Sequence, residues 1–209
     1  MVEGNSKHEL LNEEIILLKN LIGKTLTSIK CSRIDTNLTT ETKKYVILDT
    51  INLKFEELSY FIGITADFDE TNFGEDFITL NIYENDKAII FSPYQQIWHR
   101  LKSFNLDIFP KSKIFKIEVY GESYSIKSDN TEINPFWNIE KNNPGKAIIE
   151  NIETENKLLF YTETNQILIE PSGPVPFINI ILDVKHIENF LCQVNIASEK
   201  KIRLKHSFK

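Results

Sequence analysis

The stretch Phe77-Ile78-Thr79-Leu80-Asn81-Ile82-Tyr83 decides the fold class. Ile78, Leu80 and Ile82 fall on one side of an extended chain, and Thr79 and Asn81 on the other. This period of two is the signature of a half-buried strand. Glu84, Asn85 and Asp86 supply a polar corner, and Lys87 to Phe91 is apolar again, which predicts a hairpin. The pattern returns downstream, where Lys157 to Tyr161 and Gln166 to Glu170 flank the corner Glu163-Thr164-Asn165. A shift of 78 positions lays Leu80, Ile82, Ile89 and Phe91 on Leu158, Phe160, Ile167 and Ile169. Two copies of one β-unit would give this echo, and so would any two buried hairpins.

Further strands are expected on both sides. Thr25–Arg33 and Lys44–Leu53 are rich in β-branched residues. Phe115, Ile117 and Val119 alternate with Lys116 and Glu118, and Phe177–Leu182 reads as a central strand. Gly121 to Pro144 is polar and turn-rich and reads as an irregular connection, and Val194–Leu204 reads as terminal strands.

Helices are fewer. Ser6 and Glu9 have the spacing of a capping box, followed by the stripe Leu11, Ile15, Leu18 and Ile22 and then by Gly23, which predicts a helix over about Lys7–Ile22. Ser92, Pro93 and Gln95 predict a second helix near 93–104, with Tyr94, Ile97, Trp98, Leu101 and Phe104 on its apolar face. Asp183 is placed to cap a short helix reaching Leu191. The expected fold is therefore α+β, with mainly antiparallel sheets. Its organisation reads as an N-terminal α+β unit, 1–106, and a β-rich unit, 107–209, which can also pack as a single domain.

Composition narrows the function classes. The 209 residues are 41% hydrophobic and 26% charged, with a formal net charge of −6, so a sizeable core is available and the chain lacks the basic surplus of a nucleic-acid binder. The locally basic end, Lys200 to Lys209, reads as a solvated terminal strand. No run of about 20 apolar residues offers a membrane span, and the polar start lacks a signal-peptide core, so a cytoplasmic location is expected. Cys31 and Cys192 are too few for a zinc site and read as buried thiols.

Chemistry-bearing motifs are scarce. His8, His99, His186 and His206 form no paired metal spacing, and no nucleophile elbow or dinucleotide fingerprint occurs. Gly23-Lys24-Thr25 echoes a phosphate loop only in its last letters. Glu155-Asn156-Lys157 has the Glu-x-Lys letters of metal-dependent nucleases but no evident upstream aspartate. The densest acidic run, Asp67, Asp69, Glu70, Glu75 and Asp76, surrounds Phe68 and Phe73, and its spacing fails the EF-hand rule. It has the ingredients of a partner-binding loop, with charge to steer and aromatics to anchor; a solvated loop between strands would look the same. These residues lead to a non-catalytic intracellular interaction module, of immunity-type inhibitor or adaptor character, that meets a basic protein partner through the acidic run without cofactor or metal. Two alternatives stay open: a hydrolase or nuclease with a distributed carboxylate and histidine site, and a small-molecule or peptide binder in a cleft lined by Trp98, Trp137 or Tyr94.

Overall fold

The computed structural model describes residues 2–34, 44–70, 76–88, 101–128, 148–172, 177–196 and 200–209. The α+β class holds: among the described residues ten strands and two helices occur, and all strand pairs but one are antiparallel. The elements are β1 (Val2–His8), α1 (Asn12–Asn20), β2 (Thr25–Ile34), β3 (Lys44–Phe55), β4 (Phe61–Glu70) and β5 (Asp76–Asn85). After them come β6 (Leu101–Ser128), β7 (Ile148–Thr162), β8 (Gln166–Ser172), β9 (Phe177–Ile181), α2 (Val184–Gln193) and β10 (Lys201–Phe208).

The strand pairings close on themselves. β7, β8, β9, β3, β2 and β6 follow one another, and β6 pairs back onto β7 to complete a six-stranded ring. Closure depends on the length of β6, whose first half, 101–113, pairs with β2 and whose second half, 114–128, pairs with β7. The division expected near 106 falls inside this strand. Between the halves, Ser112 faces Leu26 and Asp107 faces Ser28, so Ile108–Lys111 bulge out of the ladder. Pro110 stands in that bulge, where its missing N–H costs no ladder bond. Three attachments extend the ring: β1 along β7, β10 along β6, and the β4–β5 hairpin along β3.

Alternation along each strand sorts the side chains. Leu158 and Phe160, Ile167 and Ile169, and Ile178 and Ile180 turn into the main core with Ile47, Ile51, Leu53 and Phe55. Leu159, Leu168 and Ile181 turn outward and meet Ile187 and Phe190 of α2. β7, β8 and β9 are thus buried on both faces, which accounts for their nearly unbroken apolar runs. β5 delivers Leu80 and Ile82 to the main core, as its alternation predicts.

Several expectations are corrected. The N-terminal helix begins only at Asn12, and Ser6 lies in β1, paired in parallel with β7. A ladder with a strand far along the chain satisfies the backbone groups that a capping box would have served. The box role passes to Glu14, whose Oε2 accepts from Leu11 N–H at 2.7 Å while its Oε1 accepts from Ile82 N–H at 2.6 Å. Gly23 does end the helix region with φ of 82°. Residues 121–128 are strand, because β7 and β10 offer partners to a segment whose letters alone are polar; the rest of that connection lies outside the described residues. β5 runs on through Glu84 and Asn85, the expected corner, and pairs with β4; most of the expected return arm, 89–91, lies outside the described residues. Residues 89–100 lie outside the described residues, with most of the helix expected near 93–104 and half of the internal echo; Leu101–Phe104 belong to β6. The second hairpin, β7–β8, α2 with its Asp183 cap, and the central position of β9 all match expectation. Cys31 is buried, but Cys192 is exposed on α2, where the helix turns it away from the sheet.

Candidate functional site

The acidic run converges on the far end of the β4–β5 hairpin. Register pairs Asp67 with Thr79, Asp69 with Phe77, and Glu70 with Asp76. Asp67, Phe68, Asp69 and Glu70 form an unbroken exposed end to β4, with Phe68 41% exposed. Glu75 lies outside the described residues. The Oδ1 atoms of Asp67 and Asp69 accept from the N–H groups of Phe68 and Glu70 at 2.8 and 2.9 Å. Asp69 Oδ2 lies 3.7 Å from His8 Nδ1, which ties the hairpin end to β1.

Elsewhere carboxylates are abundant, and most of the buried ones are committed; Glu150 accepts from the Ser6 hydroxyl at 2.6 Å through Oε1, while its buried Oε2 has no hydrogen-bond partner among the described residues. A row of polar side chains crosses the outer face from β6 to β9: Glu122, Lys157, Glu170 and Asn179. Lys157 Nζ sits 2.8 Å from Glu122 Oε1 and 3.2 Å from Glu170 Oε2, and Glu122 Oε2 also meets Lys200 at 2.7 Å. Burial disfavours the Glu122 charge, yet the two ammonium groups outweigh it and hold the carboxyl below its ordinary value. Burial likewise opposes the Lys157 charge, and the two carboxylates overcome it and raise the lysine. A second group lies nearby, where Glu118 Oε2 accepts from the hydroxyls of Tyr120 and Tyr161, both at 2.6 Å, and Oε1 meets Lys116 at 2.5 Å. Here too burial pushes the carboxyl up, and the lysine and the two hydroxyls bring it below the usual range. Both tyrosines are raised, by burial first and by Glu118 second, so they stay donors.

The Glu-x-Lys triplet is taken apart by a bulge. Glu155 faces Gly121 and Lys157 faces Tyr120, so two residues that would share a face of a regular strand point to opposite faces. Lys157 joins the row just described. Glu155 instead accepts from Leu10 N–H at 3.0 Å and contacts His206 Nε2 at 3.2 Å. That histidine–carboxylate contact was invisible to spacing, because 51 positions separate the pair. It fastens β10 and the start of α1 to the middle of β7. Gly121 makes the crossing possible, since a Cβ there would stand 2.7 Å from the Thr154 carbonyl oxygen.

His186 contributes its backbone N–H to the Asp183 cap at 2.8 Å. His99, Trp98, Trp137 and Tyr94 lie outside the described residues. Among the described residues, no three His, Cys, Asp or Glu side chains are grouped to hold a metal ion, and no helix is long and apolar enough to cross a membrane. Compared with known proteins, the chain matches no family model, no curated protein and no solved structure.

Proposed function

We propose that the chain is a non-catalytic intracellular interaction module that meets a basic protein partner at the end of the β4–β5 hairpin, acting stoichiometrically in the manner of an immunity-type inhibitor or an adaptor. The observation that supports this reading is the exposed sequence Asp67-Phe68-Asp69-Glu70, three carboxylates around one half-exposed ring on a strand end. Clustered charge of one sign steers association, and an aromatic beside it supplies an anchor that loses little conformational entropy on burial. A contrast in exposure supports it further: Glu118, Glu122 and Glu155 are buried and held by lysines, tyrosines, histidine or backbone, whereas Asp67, Asp69 and Glu70 are exposed, with only local backbone bonds at Asp67 and Asp69 and the His8 contact at Asp69.

Cross-linking in the native cell identifies the partner, and association kinetics against that partner test the site. Reversing Asp67, Asp69 and Glu70 to lysine is expected to slow association by at least tenfold at low salt and to flatten its salt dependence. Unchanged kinetics after triple reversal refute the hairpin end as the contact surface. The hydrolase reading has one observation of its own, the His206–Glu155 contact, and both Glu155 bonds there join separate elements of the fold.

A further inference from the structure

A hollow of about 290 Å³ opens between α1 and the turn that joins β3 to β4. Leu17 and Leu21 form the helix wall, and Leu58 and Ile62 the facing wall. Asn20 and Lys24 stand at the end of the hollow next to the helix C-terminus. Pockets for cofactors and drug-sized ligands run to about 300–1,000 Å³, so this hollow suits a small occupant.

The polar groups around it are unequal in kind. Several acceptors are already engaged: the Leu58 and Tyr60 carbonyls receive Lys54 Nζ at 2.7 and 3.5 Å. At the helix end the carbonyls of Leu18, Lys19 and Leu21 receive the N–H groups of Leu21, Ile22 and Lys24. The Tyr60 hydroxyl donates a hydrogen bond to Glu84. Glu57, which feels the Lys24 charge, has both carboxylate oxygens bonded by Thr25. Lys24 is the one charged side chain among the residues that line the hollow, and it stands with the Asn20 side chain at one end of apolar walls. We propose that the hollow binds a small amphipathic carboxylate, with its aliphatic chain between Leu17, Leu21, Leu58 and Ile62 and its carboxylate against Lys24 and Asn20. This site is separate from the hairpin end and independent of the partner reading.

Sodium octanoate is the probe, titrated into the full chain and followed by two-dimensional amide NMR, with octylamine as the head-group control. Saturable shifts are expected at residues 17–24 and 58–62, with octylamine at least tenfold weaker. Lys24→Glu should weaken octanoate at least tenfold without changing the rest of the spectrum. Leu58→Trp, which fills the hollow, should abolish the shifts, and a spectrum dispersed like that of the unaltered chain verifies its fold. Non-saturating shifts scattered over the surface, equal binding of the amine, or full affinity in Lys24→Glu would each overturn the proposal.

Discussion

Replacing Lys157 by methionine isolates the energetic cost of the charged row. The lysine side chain is only 7% exposed, and its ammonium lies between Glu122 and Glu170, which are 6% and 16% exposed. Methionine fills much the same space, so packing is nearly conserved and the change is chiefly the loss of one buried charge. Glu122 keeps Lys200 at 2.7 Å, but Glu170 keeps, among the described residues, the Asn179 amide alone, at 3.5 Å. Breaking a buried pair by removing one partner costs about 3–5 kcal/mol, because the charge left behind is uncompensated. With a urea m-value of about 2 kcal/mol per molar, the unfolding midpoint should fall by about 1.5–2.5 M. The double variant Lys157→Met with Glu170→Gln should recover more than half of that loss, since the stranded charge is gone. A midpoint drop below about 0.5 M in the single variant, or no recovery in the double, would refute the account of this row.

Two further outcomes follow from the same geometry. Glu118 and Glu122 both have folded carboxyls below the ordinary 4.5, so their contribution to stability is complete above that value and fades as pH falls through the lower folded values. Urea midpoints measured from neutrality downward should therefore drop more gently in Glu118→Gln than in the unaltered chain once pH passes below 4.5. Gly121→Ala should cost about 1–3 kcal/mol in chemical denaturation, because the new methyl meets a backbone carbonyl in the ladder and the Lys205 stem can yield while the carbonyl cannot.

What the sequence disclosed was what is local. The β7–β8 hairpin is legible because its corner and its alternation lie within a few residues, and both strands carry the same signal. The Asp183 cap is legible for the same reason. β1 is illegible because its partner is β7: Val2 faces Ile148, and nothing within Val2–His8 announces that ladder. The letters Ser6 and Glu9 offered a helical cap, and the tertiary ladder prevailed over the local option. Polar residues misled in Gly121–Ser128, since Ser125 and Lys127 are simply the exposed side of a strand whose other side carries Glu122 and Tyr124. Glu155-Asn156-Lys157 shows the limit of motif spelling, because one extra residue in β7 reverses the facing of everything before it. The acidic hairpin end was visible as composition, whereas the neutralised row around Lys157 was not, because its members come from β6, β7, β8 and the approach to β10.

The parallel ladder of β1 carries a consequence for biogenesis. A ribosome making this chain releases Val2–His8 long before Ile148–Thr154 exists, so this strand must wait for a partner made about 140 residues later. Its exposed backbone must stay idle through most of translation. The alternating Glu3, Asn5 and Lys7 that line its outer side then act as a safeguard, keeping a waiting strand soluble until its distant berth is built.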